Sequence, residues 1–193
     1  MQTTPDHTQA RTPASKVDHQ DATARVRAAA VALLDQIAAS VAALDAGVYA
    51  KPENSGGGAT IGKHVRHALD HYAALLERDP GPGGAVAYDR RVRGGSVETD
   101  PDAAAARALE LRARIDDLGD GGMDAQVRIG VLMSPDDPEV ELRSTLVREL
   151  AFVCHHATHH LAMIKPLARE SGIELPAELG RAPSTVAHDR DSQ

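Results

Sequence analysis

A single cysteine, Cys154, stands in the 193 residues, so no disulfide can close within the chain and no zinc site can be built from cysteines. Any bound metal must therefore rest on histidines and carboxylates. Tryptophan is absent and phenylalanine occurs once. That shortage argues against a sheet rich in aromatic side chains, and the frequent alanines suit closely packed helices. Positive charge is also short: 21 Lys and Arg face 28 Asp and Glu, giving a net charge of −7. A duplex-binding surface needs clustered Lys and Arg to neutralise phosphates, so no nucleic-acid partner is expected. No stretch approaches the ~18 apolar residues of a membrane span, and the first twenty residues lack the apolar core of a secretory leader. The expectation is a cytoplasmic protein with no membrane contact, whose length suits one domain.

What is present reads as helix. Residues 1–20 mix Thr, Pro, Gln, His and Ser without periodicity and are expected to be a disordered tail. From 21 to about 44, the residues Val26, Ala30, Leu33, Leu34, Ile37, Val41 and Leu44 recur at helical spacing. Gly56, Gly57 and Gly58 interrupt the chain, and Thr60 then offers an N-cap for a second helix over 61–77. Prolines 80 and 82 and five glycines between 81 and 95 predict a long loop. Asp100 and Pro101 open a third helix, running to about 118. Val127, Ile129 and Val131 alternate, and 139–143 can return as a partner strand, which predicts a short β-hairpin. Ser144 or Thr145 caps a last helix that Gly172 ends. The fold class is all-α: a four-helix bundle over 21–178, with a short hairpin before the last helix and a largely irregular tail over 179–193.

Seven histidines cluster on two of these helices, at positions 64, 67, 71, 155, 156, 159 and 160. His64, His67 and His71 form one stripe of the second helix. The last helix carries two i, i+4 pairs, His155 with His159 and His156 with His160. Its buried stripe is set by Leu146, Leu150, Val153, Ala157, Leu161, Ile164 and Ala168. That stripe places His156 and His160 on its border and turns His155 away. A border pair is held by packing yet open to a cleft, which favours His156 and His160 as ligands. Neutral imidazole suits zinc, nickel and iron, and three protein ligands leave a coordination position for a reactant. On the second helix the apolar pattern puts His64 and His71 nearer the centre than His67, so either can serve as the third ligand.

The segment Thr60-Ile61-Gly62-Lys63-His64-Val65-Arg66-His67-Ala68-Leu69-Asp70-His71 and the segment His156-Ala157-Thr158-His159-His160 resemble those of the DinB and YfiT-like superfamily of four-helix metalloenzymes. The resemblance implies one ligand from the second helix and an i, i+4 pair from the fourth, here His67, His156 and His160. It also implies a divalent metal ion and an activity such as thiol-dependent S-transfer or hydrolysis, with a small molecule and a low-molecular-weight thiol as partners. A homodimer through an apolar bundle face fits the same architecture. Many such bundles have no assigned reaction, so a non-catalytic metal-binding or stress-response protein is the alternative; a fourth ligand, His71 or His159, would favour it. Two further features bear on a site. Glu149 precedes His156 by two turns and is a candidate acid or base. Arg91 and Arg93 in the long loop offer guanidinium forks for a carboxylate or phosphate of a substrate.

Overall fold

The computed structural model describes residues 18–78, 84–89, 94–119 and 122–192. In chain order the elements are α1 (His19–Ala42), α2 (Ala46–Tyr49), α3 (Ile61–Leu76), β1 (Gly84–Ala87), α4 (Ser96–Thr99), α5 (Pro101–Asp117), β2 (Gln126–Val131), β3 (Val140–Thr145), α6 (Leu146–Arg169) and α7 (Pro183–Asp191). The chain is mostly helical, and the long helices α1, α3, α5 and α6 form the bundle. Each starts where a short polar side chain accepts a free backbone N–H. Asp18 accepts from Asp21, Thr60 from Lys63, Asp100 from Asp102 and Thr145 from Arg148. Pro101 adds a preset first turn to α5.

Helices α1 and α3 each pack on both α5 and α6. The two pairs thus lie on opposite diagonals, and α3 faces α6 along its length. Leu34, Ile37 and Val41 of α1, Ile61, Val65, Leu69 and Tyr72 of α3, and Leu111 and Ile115 of α5 are buried. On α6 the buried apolar stripe is the one its spacing predicts, from Leu146 to Ala168, with Glu149 and Cys154 added to it.

A small sheet packs against α3 and α6. Its order is β1-β2-β3, with β1 parallel and β3 antiparallel to β2. Strand β1 comes from the stretch predicted as loop, a correction with a simple cause. Gly84 to Ala87 is four residues with one β-branched side chain, too short and too featureless to show a period of two. Because β1 and β2 run parallel, a crossover must join them, and α4 and α5 provide it. The tail is a second correction: α7 occupies nine of the residues expected to be largely irregular. None of its residues is buried, so it shows no apolar stripe to read, and only Pro183 at its first turn signals a start. The expected disorder of residues 1–20 lies, up to residue 17, outside the described residues; Asp18 to Gln20 already belong to the cap and first turn of α1.

Gly62 marks a close approach. A Cβ there would stand 2.0 Å from the Glu98 carbonyl oxygen and 2.8 Å from the Tyr49 ring. That ring is itself held, since the Tyr49 hydroxyl donates to the Val97 carbonyl at 2.8 Å. Glycine is what lets α4 sit on the start of α3. Gly62→Ala is expected to lower stability by about 2 kcal/mol, the scale of a small-to-large change in a packed region, read from the midpoint of urea unfolding.

Candidate metal centre

Helices α3 and α6 bring four imidazoles to one place. The ring centroids of His67 and His156 are 4.8 Å apart, and each lies close to His160, at 4.6 and 4.5 Å. His71 joins them at 4.6 Å from His67 and 4.0 Å from His156. The Nε2 atoms of His67 and His156 are 3.1 Å apart. Candidate ligand nitrogens of His67, His71 and His156 all lie within 4.8 Å of one another. His155 and His159 are exposed, as expected for side chains off the buried stripe.

Neighbouring groups orient these rings. His71 is buried, and its Nδ1 lies 2.9 Å from the His67 carbonyl oxygen. A carbonyl only accepts, so Nδ1 carries the proton and Nε2 keeps its lone pair. His160 Nδ1 lies 3.0 Å from His64 Nδ1, so one ring donates to the other. Burial, reinforced by His156, His64, His159 and His71, pushes the His160 pKa down to about 3. His64 is lowered too, again mainly by burial. Both rings are therefore neutral at ordinary pH, the form in which imidazole binds metal.

Beside the imidazoles opens a cleft of about 500 Å³ between the sheet and α6. Its walls include Tyr88, Ile129, Leu142 and Phe152, and its rim carries Arg143 and Arg148. Tyr88 and Phe152 are shared with the histidines. The Tyr88 ring stacks on His71 at 5.1 Å and 17°, and Phe152 lies 5.9 Å from His156 at 25°. Glu149 forms the floor, 1% exposed. Tyr88 donates to its Oε2 at 3.0 Å, while Ser144 and Arg148 donate to its Oε1, each at 2.6 Å. Burial and the adjacent Glu149 carboxylate raise the Tyr88 pKa well above the ordinary phenol range, so Tyr88 remains a donor. Ser144, one of two candidate caps of the last helix, thus binds Glu149, and Thr145 does the capping.

The structure brings His67, His156 and His160 together and adds His71, which the apolar pattern of the second helix had left open. Glu149 lines the cleft and reaches the imidazoles through Tyr88 and its stack on His71. Arg91 and Arg93 lie outside the described residues. What sequence spacing misses is the Tyr88 and Phe152 pair, because Tyr88 follows a strand whose sequence predicts a loop. Cys154 is on the other side of α6, buried, with the Tyr72 hydroxyl donating to its Sγ at 3.7 Å. Burial pushes its thiol up to about 11. Since the thiolate is the reactive form, iodoacetamide should modify the folded protein only slowly at pH 8, with rates climbing toward pH 11. Modification at pH 8 as fast as in the urea-unfolded chain would contradict this burial.

The donor set fits a metal. Two nitrogens at 2.0–2.1 Å from a tetrahedral zinc are about 3.3 Å apart, close to the separation of His67 and His156 Nε2. A ring whose other nitrogen donates to a backbone carbonyl, as His71 Nδ1 does to His67, is oriented as metal-ligating histidines usually are.

No family model matches the chain. Among solved structures it superposes on YfiT from Bacillus subtilis, a probable metal-dependent hydrolase with an unusual four-helix bundle topology. The TM-score is 0.57 at 18% identity, covering 83% of this chain and 93% of that one. The chain therefore has the YfiT-like four-helix-bundle fold, and the resemblance seen in its histidine segments holds at that level. Among curated proteins, FK506-binding protein 5 of Rhizopus delemar is 31% identical over 102 residues, 52% of this chain and 26% of that protein. The chain spans about a quarter of that protein's length. Among the described residues, no helix is long and apolar enough to cross a membrane.

Proposed function

We propose that the chain is a divalent-metal-dependent enzyme in which His67, His156 and His160 hold one ion, with zinc, nickel and iron as candidates. Its reaction is the attack of water or a small thiol on a small electrophilic substrate, that is, hydrolysis or S-transfer. The 3.1 Å approach of Nε2 atoms from two different helices carries the proposal, because ring nitrogens so placed match a shared cation. The hydrolase description of the YfiT protein supports the same class. When bound, the ion supplies a Lewis acid that polarises a substrate oxygen and lowers the pKa of the attacking thiol or water.

The chain's own residues supply the rest. His64 steadies His160 through its Nδ1, and the His67 carbonyl fixes the tautomer of His71. His71 stands between the other imidazoles and the cleft, stacked on Tyr88, so its Nε2 is placed to take the proton that the attacking group gives up. Glu149 acts as a positioning residue by holding Tyr88. Phe152 and Tyr88 limit water on the cleft side.

A second ligand set has an observation of its own, since the nitrogens of His67, His71 and His156 all lie within 4.8 Å of one another, a group that does not include His160. Zinc titration of His160→Ala and His71→Ala decides between them. A loss of more than about 100-fold with His160→Ala and one no larger than about tenfold with His71→Ala is expected, since ligand losses exceed those of outer partners. The reverse order makes His71 the third ligand. Large losses in both mean a site closed by four imidazoles, and the non-catalytic metal-binding role takes over. No loss in either removes the proposal.

A further inference from the structure

We propose that the cleft under the sheet binds a small organic anion, a carboxylate carried on a flat apolar body, and presents it to the metal centre proposed above, on which this assignment of substrate class rests. The cleft has the volume of a small-molecule site. Its walls are apolar and partly aromatic, with Phe152 and Tyr88 offering flat faces and Ile129 and Leu142 lining the sheet side.

Charge then selects the ligand. Arg143 and Arg148 share the rim, against the single carboxylate of Glu149 below. Both Glu149 oxygens are already taken, by Tyr88, Ser144 and one nitrogen of Arg148. The cleft therefore keeps a net positive charge within a chain whose net charge is −7. Arg148 lies against the Phe152 ring, 5.7 Å from its centroid, so its fork borders the aromatic wall and can meet a carboxylate whose flat body rests beside that ring. A guanidinium has five N–H donors, so the Nη1 bond to Glu149 leaves others for a ligand. A cation would be repelled at this rim, and a neutral body would leave the two forks without a role.

The same rings place the ligand for reaction. Tyr88 stacks on His71 and Phe152 lies almost parallel to His156, so a body resting between them is one ring away from the imidazoles.

The test uses benzoate and its neutral isostere benzamide, titrated by NMR into the full chain with and without zinc, and into Arg143→Met and Arg148→Met. Benzoate is expected to bind, with benzamide and each variant weaker by about tenfold, the scale of one charge-assisted contact. Zinc content should be unchanged in the variants. If Arg148→Met fails to fold because Glu149 loses its cation, Arg143→Met alone decides. Absence of benzoate binding, equal binding of benzamide, or indifference to Arg143→Met overturns the cleft assignment. Benzoate binding that needs zinc and ignores both arginines also overturns it, while leaving the metal centre standing. Arginine-dependent binding by a protein that takes up no zinc supports the cleft and removes the metal centre.

Discussion

His156→Ala should lower zinc affinity by at least about 100-fold, since loss of an outer partner alone typically weakens metal binding 10- to 100-fold. His67→Ala should do the same, because the two rings meet at Nε2 across the interface of α3 and α6. His155→Ala is the control: it alters an exposed ring next to His156 in sequence but turned to solvent. Zinc should also stabilise the parent fold by about 2.7 kcal/mol when present at 100 times its Kd, as mass action requires. That increment should fall to about 0.4 kcal/mol or less in His67→Ala and His156→Ala and persist in His155→Ala. Helicity should survive in all three, because the bundle is held by the apolar stripe from Leu146 to Ala168 and its partners on α1 and α3.

Glu149→Ala is expected to lower stability by about 3 kcal/mol in urea unfolding, through lost hydrogen bonds to a buried acceptor and a cavity under the sheet. The Arg148 contact contributes little of this, because that guanidinium is 66% exposed and its attraction is screened by water. The main terms are the Tyr88 and Ser144 hydroxyls, which lose their acceptor at the point where β3 meets α6. Glu149→Gln keeps an acceptor oxygen and most of the volume, so it should cost about 1 kcal/mol. Zinc affinity separates positioning from ligation: it should change only a few-fold in Glu149→Ala, because Glu149 touches the imidazoles solely through Tyr88.

Periodicity carried most of this architecture. Val26 to Leu44, Ile61 to Leu76 and Leu146 to Ala168 each show an apolar stripe that the bundle buries. Thr60, Asp100 and Thr145 mark helix starts that any chain would need to cap. The clustering of histidines between α3 and α6 was legible for the same reason, since an i, i+4 pair at a stripe border lies beside a neighbouring helix. Spacing could not decide among His64, His67 and His71, which share one stripe of α3. Tertiary contacts separate them: His64 pairs with His160, while His67 and His71 face His156. Glu149 falls at i+3 from Leu146 and i−4 from Val153, so a carboxylate in the buried stripe was visible. Its partner Tyr88 was not, because β1 gains its place only by pairing with β2 some forty residues later. Short strands and capless helices such as α7 carry their reasons outside their own sequence.

X-ray absorption at the zinc edge of the metal-loaded protein tests the centre most directly. A first shell of nitrogen and oxygen at 2.0–2.1 Å, with the multiple scattering of three imidazoles that drops to two in His160→Ala, is the predicted spectrum. A shell with one imidazole or none, unchanged by replacing His67, His156 or His160, would contradict a cation shared between α3 and α6.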